Sequence, residues 1–193
     1  LHMPEQVAFA RALSKRWKAV VRKYLIDENT MLAAGNCQTS QAMAIYYNIF
    51  EPAERKAAFE QLINLIEEQE YHLDVGVLGG RVLFHVLTEF GYSDLAFSMI
   101  TRPDYPSYGN WIARGATTLW EVFQPEGSDR IGSLNHHFWG DISSWFTQAL
   151  SGIRMAPHGE PNEVDFRPSF ISRLTHAEAF HIAPAGRIAS AWE

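Results

Sequence analysis

The chain has 193 residues, 47% hydrophobic and 20% charged, which suits one globular domain, or a domain plus part of another, and excludes a disordered or fibrous class. A net charge of −6 speaks against a nucleic-acid partner, because phosphate binding needs clustered Lys and Arg, and the basic run Lys15, Arg16, Lys18, Arg22, Lys23 has the helical spacing of a solvated face. Cys37 is the single cysteine, which excludes an intramolecular disulfide or a cysteine-based zinc site, and no segment is apolar for long enough to span a bilayer.

The opening Leu1-His2-Met3 reads as a cloning remnant before Pro4, and no secretion leader follows it. From there the first two-thirds of the sequence predicts helices joined by short turns. Phe9, Leu13, Trp17, Val20, Val21 and Tyr24 form an apolar stripe at helical spacing. Thr39 or Ser40 is positioned to cap a second helix carrying Met43, Ile45, Tyr46, Tyr47 and Phe50. Pro52 then starts a third, with Phe59, Leu62, Ile63 and Ile66 on one face. Gly79 and Gly80 precede a helix with Leu83, Val86, Leu87 and Phe90 inward, and Gly91 ends it; a short helix, Asp94 to Ile100, follows.

Residues 101–137 change character, because Pro103, Pro106, Gly109, Gly115, Pro125, Gly127 and Gly132 interrupt any long element. A loop this long with so many aromatics is expected to be functional, and flat rings among Asn, His, Ser and Thr suit a sugar site. A last helix is predicted from about Gly140, with Ile142, Trp145, Phe146, Ala149, Leu150 and Ile153 inward and Gly152 near its end. VDFRPSF, residues 176–182 and GRIASAW read as short strands. The expected division is a helical part over 4–155 and the start of a β domain over 156–193. Helical hairpins stacked in succession make the chain mainly α.

Three stretches offer chemistry. In GATTLWEVF, residues 115–123, the carboxylate of Glu121 follows Trp120, with Thr117 and Thr118 nearby and Arg114 as the nearest cation in sequence. As a surface charge it needs no explanation; beside an aromatic wall it becomes a candidate base, since burial and hydrogen bonding set its proton affinity in opposite senses. In SLNHHFWG, residues 133–140, adjacent His136 and His137 point in different directions, so one of them at most can share a site with Glu121. His137 and Asp141 stand at i, i+4 but lack further metal ligands, so no metal and no cofactor are expected. In HLDVGVLGGR, residues 72–81, the glycines suit a tight turn better than a phosphate cradle, and Asp74 is positioned to reach a cleft. Tyr108 and Trp111, in YPSYGNW, combine a turn with an aromatic platform.

The ordered set formed by Gln38-Thr39 before a helix, DVGVLGGR, LTEFGYSDLAFSMI, YPSYGNWIARGATTLWE and SLNHHFWG resembles the latter half of the bacterial α-L-rhamnosidase catalytic domain, glycoside hydrolase family 78. PHGEPNEVDFRPSF through GRIASAW resembles the start of the β-sandwich that follows it. The resemblance implies part of an (α/α)6 barrel, six helical hairpins around a pocket, in an enzyme that removes terminal α-L-rhamnose with inversion. It implies that Glu121 is the general base and that His136 contacts the sugar, with Trp120, Trp111, Tyr108 and Asp74 as further candidate sugar contacts. Where the family usually has Thr-Gly, this chain has Asp74-Val75-Gly76, and Tyr108 stands where Trp is common; both bear on substrate choice.

Inversion needs two carboxyl groups about 6.5–9.5 Å apart, and the general acid belongs to a part of the barrel that this sequence does not include. The expected partners are therefore a rhamnose-containing carbohydrate and the N-terminal half of the same barrel, with self-association through apolar helix faces that half a barrel leaves open. Periplasm and cytoplasm both remain open as compartments. Three other readings stand beside this one: a helical-barrel glycosidase for another deoxy sugar or a uronic acid, a non-catalytic carbohydrate-binding protein, and a helical scaffold without ligand.

Overall fold

The structure, a computed structural model, describes residues 3–128, 132–155 and 163–193. Helix α1 (Pro4–Leu25) leads into a two-residue antiparallel clip, β1 (Ile26–Asp27) with β2 (Leu32–Ala33). Helices α2 (Gln38–Tyr46), α3 (Arg55–Glu68), α4 (Val77–Gly80), α5 (Leu83–Glu89) and α6 (Ser93–Thr101) then stack as short hairpins.

The core forms where their apolar stripes meet. Ala42, Ile45, Ala58, Leu62, Ile66, Leu83, Val86 and Leu87 are buried, and the Phe59 and Phe90 rings stack at 4.1 Å. Two buried amides fix this packing. Gln41 accepts from Ala33 N–H and donates to the carbonyls of Met31 and Ala58, so one side chain joins β2, α2 and α3. Gln38 donates to His72 O and accepts from Asp74 N–H, tying α2 to the loop before α4.

Several local expectations change. The predicted stripe of α1 is not buried: no residue of this helix is, and Phe9 and Tyr24 are 69% and 68% exposed. Its last turn is held instead by Arg22, whose guanidinium donates to both oxygens of Glu54 and to Ile49 O. That pairing lowers the proton affinity of Glu54 and raises that of Arg22. Neither Thr39 nor Ser40 caps α2. The helix opens two or three residues earlier, with Cys37 at the cap position and Gln38 drawn inward by its bonds to residues 72 and 74. Tyr46 and Tyr47 are exposed, and Phe50, buried, lies past the helix end. Gly79 and Gly80 close the single turn of α4 and do not merely precede a helix.

The 101–137 stretch contains α7 (Tyr108–Ala113), which sequence patterning missed. Ser107 caps it, accepting from Asn110 N–H at 2.8 Å, as expected of Ser one residue before a first turn. After a 3₁₀ turn at His137–Trp139, α8 (Asp141–Trp145) runs on as a π-helical turn, Phe146–Leu150. The predicted helix therefore stops short of Ile153. That residue opens β3 (Ile153–Met155), paired antiparallel with β4 (Val164–Phe166), and strand pairing outcompetes one more helical turn there. A final antiparallel hairpin, β5 (Ala177–Ala183) and β6 (Gly186–Trp192), is pinned to the end of the π turn by Trp192 Nε1–H donating to Leu150 O at 2.7 Å.

Candidate functional site

Two loop segments, 118–121 and 133–136, run side by side between α7 and α8. Glu121 N–H donates to Ser133 O and His136 N–H donates to Leu119 O, each at 2.8 Å, while Thr118 Oγ1 donates to Leu134 O. This backbone zipper carries Glu121 on one segment and His136 on the other, so residues 15 positions apart in sequence face each other. His136 Nδ1 lies 4.0 Å from Glu121 Oε2. Oε2 also accepts from Ser133 N–H at 2.8 Å. Among the described residues, His136 brings the ring nitrogen that stands near this carboxylate; Arg114 instead lies over the Trp120 ring and donates to Gln124 O.

The Glu121 side chain is 45% exposed. A carboxylate enclosed by the Trp120 ring is therefore not what these residues build. What fixes Glu121 is hydrogen bonding on three sides, completed by Trp139 Nε1–H donating to its carbonyl at 2.9 Å.

Beneath the zipper lies an aromatic cluster. Trp111 stacks on Phe123 at 4.3 Å, Phe123 meets Trp139 at 4.6 Å, and Tyr108 lies edge-on to Trp111, Phe123 and Trp139. Trp120 joins through Trp111 at 6.1 Å. Tyr108 and Trp111 are buried, so they form the floor of the cluster instead of an open platform. The Tyr108 hydroxyl donates to Trp139 O, and burial, with Asp141 nearby, pushes its proton affinity well up and keeps it neutral. Three buried side-chain polar atoms have no hydrogen-bond partner among the described residues, Trp111 Nε1, Gln124 Oε1 and His136 Nε2. A buried ring nitrogen without a partner is costly.

Asp74 stands apart from this group. It is exposed, on the loop before α4, with its N–H on Gln38 Oε1. Asp141 pairs with His85 at 2.8 Å, which removes it from any metal pair with His137. An apolar groove of about 640 Å³, lined by Tyr108, Trp111, Ile112, Thr117, Thr118 and Phe146 among others, runs along the other face of α7 and does not include Glu121 or His136. Sequence reasoning missed Gly132, Ser133 and Trp139, although SLNHHFWG contains two of them.

The same backbone occurs in known enzymes. The structure superposes on that of Streptomyces avermitilis α-L-rhamnosidase complexed with L-rhamnose, with a TM-score of 0.87 and 29% identity over 96% of this chain and 18% of the other. It superposes on α-L-rhamnosidase from Dictyoglumus thermophilum with a TM-score of 0.85 and 27% identity, over 98% of this chain and 22% of that one. In sequence, an α-L-rhamnosidase of Formosa agariphila is 33% identical over 162 residues, 81% of this chain and 17% of the relative. The chain thus spans about one fifth of the length of these relatives, and its helices form part of a six-hairpin glycosidase barrel. Residues 2–150 match the bacterial α-L-rhamnosidase six-hairpin glycosidase domain, and the chain belongs to that family.

Proposed function

We propose that this chain supplies the general base of an inverting α-L-rhamnosidase, and that Glu121 is that base. The observation that carries the reading is the convergence of Glu121 and His136, 4.0 Å apart on two zipped segments, with the carboxylate anchored by Ser133 N–H. Family membership supports rhamnosylated glycosides as the substrate class.

In this reading Glu121 takes a proton from a water that attacks the anomeric carbon of terminal rhamnose. The glycosidic C–O bond breaks as a carboxylic acid outside this chain protonates the departing oxygen. Inverting chemistry requires those two carboxyl groups about 6.5–9.5 Å apart, enough for the water between them. His136 contacts the sugar from the segment that faces Glu121. Trp111, Tyr108 and Trp120 back the sugar-facing loops, and Asp74 approaches from the α4 loop. Residues 156–193 open a β-sandwich that follows the barrel.

The test is turnover of an aryl α-L-rhamnoside by the full-length protein. Glu121→Gln is expected to lower kcat by about 10²–10⁴-fold while L-rhamnose binding, read by calorimetry, persists. The 193-residue chain alone is expected to show no turnover. Unchanged turnover in Glu121→Gln, or robust hydrolysis by the isolated chain, defeats the proposal. Turnover lost together with binding would point to a general distortion of the site.

A further inference from the structure

We infer that Gly132 is a positioning residue for Glu121, its missing side chain leaving the space in which the carboxylate reaches Ser133. The inference rests on the reading of Glu121 as the base, and it adds a device that sets where that base stands.

The backbone of Glu121 has little freedom. Its N–H is held by Ser133 O at 2.8 Å and its carbonyl by Trp139 Nε1–H at 2.9 Å. The Trp139 ring cannot give way. It is buried among Tyr108, Trp111 and Phe123, and on its other side Gly80 of α4 lies so close that a Cβ there would stand 2.6 Å from Cζ3. The indole is thus clamped between a helix that lacks a side chain at the contact and the aromatic cluster.

Against this fixed backbone, a Cβ on Gly132 would stand 3.2 Å from Glu121 Cβ, 3.3 Å from Oε2 and 3.4 Å from Val122 Cγ2. Carbon atoms pack best at about 3.5–4.0 Å, so a methyl group here crowds Glu121 at Cβ and Oε2, which must give by a few tenths of an ångström, and only touches Val122. The Glu121 backbone is tied down, so the carboxylate is the part that turns away, and turning breaks its bond to Ser133 N–H. Displacement of a reacting group by about 1 Å costs on the order of 10²-fold in rate, so a smaller shift of the carboxylate costs about tenfold. The glycine is thereby a gauge on the depth of the base.

The experiment is a graded pair in the full-length protein, Gly132→Ala and Gly132→Val. With an aryl α-L-rhamnoside, kcat is expected to fall about tenfold or more for Ala and further for Val, with KM, the L-rhamnose binding constant and the melting temperature near wild-type values. A merely structural glycine would lower stability or binding along with kcat, and that result overturns the inference; so does kcat within about twofold of wild type in both variants. A structure of Gly132→Ala decides the geometry without any turnover. Glu121 Oε2 still bonded to Ser133 N–H sinks the inference, whereas a swung carboxylate upholds it. Absence of rhamnosidase activity in the wild-type protein would instead sink the proposed function and leave this structural readout to decide.

Discussion

Trp139 touches the site from below through a single hydrogen, the indole N–H on Glu121 O, while its ring fills the space between Gly80 and Phe123. These two contributions are separable. Trp139→Phe keeps an aromatic ring but removes the donor and part of the buried indole, so stability is expected to drop by about 1 kcal/mol for the hydrogen bond, plus the cost of the cavity left behind. Turnover of the full-length protein should drop more than that, because the Glu121 backbone loses one of its tethers; equal turnover at lowered melting temperature would show the bond to be structural. That Glu121 and His136 come near one another was expected from the sequence, where GATTLWE is paired with a downstream NH. Their anchors were not. A backbone N–H at Ser133, and glycines used for their emptiness at 132 and 80, leave no periodicity or charge pattern to read. Trp139 looked like any core aromatic until its N–H found a carbonyl.

At the scale of elements, α7 is short, six residues, and depends on what precedes it. Ser107, buried, accepts from Asn110 N–H, and its hydroxyl lies 2.6 Å from Arg102 O and 3.0 Å from Asp104 O. Asp104 in turn accepts from Arg102 and bonds His72 Nε2 at 2.9 Å, joining the loop before α7 to the loop before α4. The Arg102 guanidinium first, then His72, hold the Asp104 carboxyl well below the ordinary carboxylate range. A carboxyl depressed in this way stabilises the fold above its unfolded value, about 4, and that contribution disappears as pH falls from there. Asp104→Asn is therefore expected to lower the melting temperature at pH 7 and by progressively less as pH falls below about 4, so the two proteins draw together in acid; a constant offset at all pH values would contradict the assignment. Because Asp104 is half-exposed, solvent screening keeps the effect small.

The long helices were readable because their apolar residues recur at 3.6-residue spacing; Leu62, Ile66, Leu83 and Leu87 fell inward as predicted. α7 was not, since a six-residue element amid Pro and Gly has no second turn to repeat a stripe. The end of α8 was not either, because the ladder that claims Ile153 comes from residues 164–166.

Across the whole molecule, the apolar stripe of α1 is real in sequence yet lies open, with Phe9, Trp17 and Tyr24 more than half exposed. Sequence periodicity announces an apolar face but not which surface covers it. Faces of this kind seek partners, so the isolated 193-residue chain is expected to self-associate in solution, with light scattering giving a mass above one chain. Phe9→Ser with Trp17→Ser should return the mass toward one chain. A monomeric wild-type chain that takes up little hydrophobic dye would refute the expectation.

The C-terminal hairpin has the opposite character to the helical core. Of the residues in β5 and β6, Ala183 is buried, whereas Phe180 and Ile182 are 59% and 65% exposed, and the indole of Trp192 bonds Leu150 O at its far end. With so little surface to uncover, the ribbon opens at a small fraction of the global unfolding cost. Its amide protons are accordingly expected to trade with deuterium together, once the Trp192 latch lifts, while those of α2, α3 and α5 remain locked.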